Sequence, residues 1–249
     1  MAIGPRRAGA ALLAAAALMM PATARSAGAF SAAVDSCVNE MNPGRQIAAC
    51  SRVIEIWGPE NSRLAWAFHH RADGYSEAGD YRRAIRDYDV VIRLRPEYAV
   101  AFVGRGMAYA GQGDHRRAVQ DFDVAIMLDP AFGAAYDDRC FSLAVIGEAR
   151  RAIGDCDRAL SLNRDDPAAL DGRGYAYLRL GLAERAVLDY SAALKVYPEL
   201  DTSLFGRGVA HATQGNRPQA AQDLAAARRI NSQIDREMAK VHILAPPGL

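Results

Sequence analysis

Along residues 114–130, DHRRAVQDFDVAIMLDP, apolar side chains at Ala118, Val119, Phe122, Ala125 and Ile126 recur every three or four positions among charged ones, and a proline closes the run. That period predicts an amphipathic helix with a proline stop. The pattern returns at 80–96 as DYRRAIRDYDVVIRLRP, at 148–164 as EARRAIGDCDRALSLNR and at 182–198 as LAERAVLDYSAALKVYP, each copy offset by 34 residues. Repetition at a fixed interval predicts a stack of like units with an elongated core.

Aligned on Ala84, Ala118, Ala152, Ala186 and Ala220, the units start at Ala65, Ala99, Gly133, Pro167 and Asp201, so five of them fill 65–234 without a gap. Position 8 is small in all five (Ala72, Gly106, Cys140, Gly174, Gly208), position 20 is Ala, and position 27 is Val91, Ala125, Ala159, Ala193 and Ala227. Small residues there let the two helices of a hairpin approach closely. Large residues at position 4 (Phe68, Phe102, Tyr136, Leu170, Leu204) and at position 24 (Tyr88, Phe122, Cys156, Tyr190, Leu224) are expected to fill the space between hairpins. The closing proline is Pro96, Pro130 or Pro198 in three units but is missing from the third and fifth, where Arg164 and the Asn231-Ser232 pair stand and whose ends are expected to be less sharp. Residues 30–64 read as a degenerate N-terminal unit, with Ala49, Val53 and Ile56 at positions 20, 24 and 27. Residues 235–249 hold a short helical pattern, DREMAKVHIL, and the tail APPGL, expected to cover the last hairpin.

A repeat of this length built from two helices resembles the tetratricopeptide-repeat family, and Arg105-Gly106, Ala108-Tyr109, Gly113-Asp114, Asp121-Phe122 and the paired cysteines resemble its exported bacterial members. The resemblance implies an all-α superhelical solenoid of antiparallel helix hairpins that binds another protein or a peptide segment. It also implies a concave groove lined by the first helix of each unit, here by Trp66, His69, Val103, Met107, Asp137, Phe141, Asp171, Tyr175, Arg179, Phe205 and Val209. The central and C-terminal part of that lining is apolar and aromatic, and it lacks the Lys and Asn clamp with which chaperone-associated relatives grip a terminal carboxylate. An apolar or amphipathic segment laid in the groove is the expected ligand. The competing expectation is that the C-terminal helix, or a neighbouring solenoid, covers this surface.

Position 7 is Arg in every unit (Arg71, Arg105, Arg139, Arg173, Arg207) and position 23 is Asp in every unit (Asp87, Asp121, Asp155, Asp189, Asp223). In an antiparallel hairpin where position 8 faces position 20, position 7 lies near position 23. Internal ion pairs that fix helix registry are therefore predicted. A row of arginines for binding anions is the alternative, but an Asp in phase leaves each Arg little free charge. Cys37 and Cys50 face each other across the first unit, where a disulfide is expected. Cys140 and Cys156 sit about one helical turn out of ideal opposition, and a bridge or a pair of buried thiols both fit them.

The chain opens with Arg6 and Arg7, an apolar run from about Ala8 to Met20 and small residues, the anatomy of a secretory signal peptide spanning 1–29. A twin-arginine signal is the weaker reading, since GPRRAG lacks that motif's polar and bulky neighbours. The run is shorter than the about 20 residues that cross a bilayer, so no stable membrane anchor is expected, and no Cys follows closely enough to accept a lipid. An even number of cysteines fits an exported, periplasmic or secreted, protein. With 30 Lys and Arg against 29 Asp and Glu, nothing resembles the basic footprint of a nucleic-acid binder. No HExxH, GxSxG, Walker loop or other ligand spacing occurs, so neither cofactor, metal nor catalytic site is expected. His69, His70, Asp73 and Glu77 alone break the repeat symmetry. The function these residues suggest is a non-enzymatic protein-binding scaffold or adaptor of the bacterial cell envelope, the alternative being a periplasmic chaperone-like assembly factor.

Overall fold

The computed structural model describes residues 27–59 and 62–249. The expected signal peptide lies outside the described residues except for Ala27–Ala29, which belong to the first helix. The described residues form thirteen α-helices and no strand: α1 Ala27–Asn39, α2 Pro43–Trp57, α3 Ala65–Glu77, α4 Tyr81–Leu94, α5 Ala99–Gly111, α6 His115–Leu128, α7 Gly133–Val145, α8 Ala149–Leu162, α9 Pro167–Arg179, α10 Ala183–Val196, α11 Asp201–Thr213, α12 Arg217–Ile230 and α13 Ile234–Lys240. None is long and apolar enough to cross a membrane. The chain divides into two compact units, Met1–Gly111 and Gln112–Leu249.

In the first unit the hairpins α1/α2 and α3/α4 stack, with α2 against α3, and α5 packs on α4. In the second, α6 packs on α7, the hairpins α7/α8, α9/α10 and α11/α12 follow, and α13 lies on α11 and α12. The first helices also touch in series, α7 to α9 and α9 to α11, and so build one continuous face.

Local chemistry explains where each helix turns. Gly79, Gly113, Gly147, Gly181 and Gly215 recur one unit apart with φ between 73° and 90°, a left-handed conformation that costs any residue with a Cβ. Asp80 and Asp114 then cap α4 and α6 by accepting the Arg83 and Arg117 amides. The hairpins close on the small positions: the five position-20 alanines are fully buried. Contrary to the expectation from their missing prolines, the third and fifth units end as sharply as the others. The Asn163 amide returns to the Ala159 carbonyl at 2.9 Å, and the Asn231 amide to Ala227 at the same distance, as Asp129 does to Ala125 ahead of Pro130. The last helical hydrogen bond is thus closed alike whether or not a proline follows.

Both cysteine pairs are bridged, α1 to α2 by Cys37–Cys50 and α7 to α8 by Cys140–Cys156, with Cα separations of 4.6 and 5.5 Å. These fall within the span a disulfide needs. Cys156 stands where other units carry Tyr88, Phe122 or Tyr190, and both of its unit's sulfurs are fully buried. The bridge thus occupies interior volume that elsewhere belongs to an aromatic ring.

The arginine row is internal, and Arg71, Arg139, Arg173 and Arg207 each bind on two sides. Within its own hairpin Arg71 forks onto Asp87 at 2.6 and 2.9 Å, Arg139 onto Asp155 at 2.7 and 2.6 Å, Arg173 onto Asp189 at 2.7 and 2.8 Å, and Arg207 onto Asp223 at 2.8 Å twice. The remaining nitrogen reaches the second helix of the preceding hairpin: Arg105 to Asp89 at 2.6 Å, Arg139 to Asp123 at 2.7 Å, Arg173 to Asp157 at 2.6 Å. A serine takes that place for Arg71 and Arg207, Ser51 and Ser191, each at 3.2 Å. Asp121, the other in-phase acid of the row, is buried on α6.

One arginine thereby joins three helices, and its two acceptors are unequal. The side chains of Arg139 and Asp155 are 17% and 13% exposed, whereas Asp123 is 48% exposed. Asp155→Ala leaves a mostly buried guanidinium without its fork and should cost roughly 3 kcal/mol, while Asp123→Ala should cost under about 1 kcal/mol. Urea unfolding of the two variants and of Arg139→Ala in double-mutant cycles checks the order, and equal costs would refute it.

The position-24 ring of one hairpin lies against a glycine of the next. A Cβ on Gly206 would penetrate the ring of Tyr190, which is 1% exposed, whereas one on Gly154 would meet nothing within 4 Å. Gly206→Ala should therefore destabilise by about 1–3 kcal/mol, and Gly154→Ala should stabilise by about 0.5–1 kcal/mol. Thermal unfolding of both variants reads the two signs.

Candidate functional site

The residues expected to line a groove lie on the first helices, and the two units present them differently. In the first unit Met107 is 46% exposed, with Val100 two turns away on α5 at 38%. Val103, between them, is only 6% exposed and offers little to a partner. On α3, Trp66 and His69 are part-buried within an aromatic cluster: His69 meets His70, Tyr88 and Tyr98 edge-on at ring separations of 5.6, 5.9 and 5.5 Å. Asp73 holds this cluster in place, accepting the Tyr88 hydroxyl at 2.6 Å and lying 3.5 Å from His69 Nε2. Burial, then the neighbouring His69, lowers the His70 pKa, with Asp73 opposing them.

In the second unit the face of α7, α9 and α11 carries Asp137, Phe141, Asp171, Tyr175, Arg179, Phe205 and Val209, and much of it is covered. Tyr175 and Phe205 are 1% and 0% exposed, so these two do not offer their rings to solvent as the groove expectation had it. They pack with Ile234, Met238 and Ile243 of the C-terminal segment, and Phe141, Val209, Val241, Ala245 and Leu249 join the same apolar cluster. The Tyr175 hydroxyl donates to the Val241 carbonyl and accepts Arg179 Nη1 at 3.1 Å. The competing expectation, that the C-terminal segment covers the face, is what the second unit shows.

Several carboxylates on this side of the helices are partly withdrawn from water. Asp171 accepts the Ser203 hydroxyl and, at 3.3 Å, that of Thr202. Burial nevertheless pushes its pKa up to about 6, with those two hydroxyls pulling it down and Asp201 adding to the rise. Asp137 rises to about 8 and Asp138 to about 7, each first through burial and then through the charge of Asp166. One oxygen of Asp137 is buried with no hydrogen-bond partner. Between the face and the segment lies a cavity of about 160 Å³, lined by Phe141, Asp171, Tyr175, Tyr190, Thr202, Glu237, Met238, Val241 and Ile243.

Ser203, Asp166 and the second acceptors Asp89, Asp123 and Asp157 were not singled out from the sequence. The last three had a signal, because Asp recurs two residues after the position-23 acid in DYD, DFD and DCD. Met238, Val241 and Ile243 had only a helical pattern that did not say which surface they meet.

The family model described as tetratricopeptide repeat matches residues 70–135 and 172–233, together more than half of the chain. Among solved structures, a tetratricopeptide repeat protein from Parabacteroides merdae aligns with a TM-score of 0.67 and 19% identity over 85% of this chain and 82% of its own. YrrB, described as a TPR protein with an unusual peptide-binding site, aligns at 0.52 and 23% over 78% and 96%. MamA aligns at 0.54 and 22% over 74% and 98%. No curated protein matches the chain.

The raised carboxyl gives a pH dependence of known sign. A carboxyl with a pKa of about 6 when folded and about 4 when unfolded binds its proton more tightly in the fold, so stability falls as pH rises from about 4 to 6. Asp171→Asn keeps an acceptor for Ser203 and removes the titration. Above pH about 6 the variant should be more stable than the parent by on the order of 2 kcal/mol, the gap closing towards pH 4. Chemical unfolding at a series of pH values reads this difference, to which Asp137 and Asp138, present in both proteins, add nothing.

Proposed function

Because the chain belongs to the tetratricopeptide-repeat family, we propose that it is a non-enzymatic protein-binding scaffold of the cell envelope whose first-helix faces take apolar or amphipathic segments of a partner. The observation that carries this reading is the C-terminal segment itself. An amphipathic stretch of this very chain, Ile234 to Ile243, lies on α7, α9 and α11 with its apolar side chains inward and its Val241 carbonyl bound by Tyr175. A face that binds such a segment in cis has the chemistry to bind one in trans. On the first unit the corresponding helices leave Val100 and Met107 uncovered beside the Trp66–His69 aromatic cluster. That YrrB is described as holding a peptide-binding site supports the same use of the fold. Export is supported by the N-terminal signal pattern and by two disulfides, which persist in oxidising compartments.

Photo-crosslinking in the native envelope fraction tests the reading. Val100→Glu with Met107→Glu should reduce the captured partners at least about tenfold, the scale of losing one buried anchor. Leu188→Glu, which charges a 70% exposed leucine on the second helix α10, should leave them unchanged. One dominant partner marks an adaptor and a broad set a chaperone-like factor. Equal loss in both variants would overturn the assignment of the face.

A further inference from the structure

We propose that residues 234–249 are a resident ligand of the α7, α9 and α11 face, and that a partner gains this face by displacing them with a segment of the same chemistry. That segment carries aliphatic side chains four residues apart on a helical turn, then a chain reversal that offers a carbonyl to Tyr175. The inference rests on the scaffold reading and deepens it by naming what the second unit binds and what controls access.

A terminal cap has less to do than this segment does. The last hairpin needs cover only over α11 and α12, and α13 supplies it, with Ile234 fully buried and Met238 7% exposed. The chain then reaches beyond the last hairpin. Val241 is held by Tyr175 of α9, and Val241 and Ile243 close a cavity that Phe141 of α7 also lines. Shielding the final hairpin does not require contact with the two before it, whereas occupying a binding face does.

The same contacts are built to be replaced. The reversal places His242, a non-glycine residue, at φ 63°, where an L side chain is disfavoured. The segment leaves a cavity of about 160 Å³ against the face, so the walls forgo dispersion contacts that a bulkier occupant would make. Apart from the Tyr175 bond, its ion pair is at the surface: Arg228 and Asp235 meet at 2.8 Å with side chains 35% and 46% exposed, the sort of pair that contributes little. The hairpins beneath, by contrast, are locked by buried small residues and by the arginine forks. Exchange of the segment for one of the same chemistry therefore leaves the repeats standing, since the last hairpin keeps its apolar cover.

The probe is a fluorescent peptide of residues 234–249, titrated into the full chain and followed by anisotropy. The parent should bind it weakly because the face is filled. Met238→Glu with Ile243→Glu, which expels the segment, should bind the same unaltered peptide at least about tenfold more tightly, since an occluded site lowers apparent affinity by the fraction of open molecules. Tyr175→Phe removes one hydroxyl and no packing, and serves if the double variant does not fold. Its Val241 to Ile243 amides should exchange with solvent at least about threefold faster than in the parent, while those of α9 and α11 hold their rates. Equal peptide affinity in parent and folded double variant overturns the proposal, as does unchanged exchange in Tyr175→Phe. Should either occur while Val100→Glu with Met107→Glu still loses its captured partners, the scaffold reading stands and only the masking fails. If masking holds but the crosslinks are insensitive, the reverse is true.

Discussion

The repeats are held in phase by one side chain used repeatedly, the arginine at position 7. Its guanidinium is planar and carries donors on two edges, so it can fork onto an Asp of its own hairpin and still donate to an acid on the preceding one. A lysine would satisfy either partner but could not fix the angle between both. Because the fork is mostly buried, with Arg139 and Asp155 17% and 13% exposed, a hairpin that shifted in register would strand a charge away from water. The penalty for that is large, and it turns many small apolar contacts into one defined stacking.

Around that constraint, the size of the remaining positions follows. The position-20 alanines are fully buried where hairpins close. Tyr190 spends its ring on a glycine of the next hairpin, and the Cys140–Cys156 bridge stands in for a ring where the sequence has none. Each device leaves the first helices in series with their outer sides free, and these sides are where the units differ. The first unit shows exposed Met107 beside an aromatic cluster ordered by Asp73, whereas the second is closed by the chain's own C-terminal segment. The rise in the Asp171 pKa is a consequence of that closure, since a carboxylate under an apolar cover loses hydration that two hydroxyls replace only in part.

Much of the architecture was legible because it repeats. A period of 34 residues with Ala at position 20 and Arg and Asp at positions 7 and 23 specifies paired helices, their spacing and the fork inside each hairpin, for reasons local to one unit. The proline rule misled in the third and fifth units, whose helices close on the same backbone bond as the others without a proline. The second acceptor of Arg105, Arg139 and Arg173 was written in the sequence as a doubled Asp, yet its partner lies in another hairpin, and pattern within a unit does not say how units abut.

The candidate site was legible only as a set of positions. Helical period puts Phe141, Tyr175 and Phe205 on one side of their helices, and that is where they stand. Whether such a side meets solvent or protein depends on a segment some thirty to a hundred residues further along, whose own period allows many partners. The repeat, the helix hairpins, their ion pairs and the family could be read from the linear chain, since each arises from neighbours at fixed separation. It took the three-dimensional contacts to show that Val241 and Ile243 lie against the face of the second unit and that Asp171 lines the cavity they close, because that contact is long-range and obeys no period.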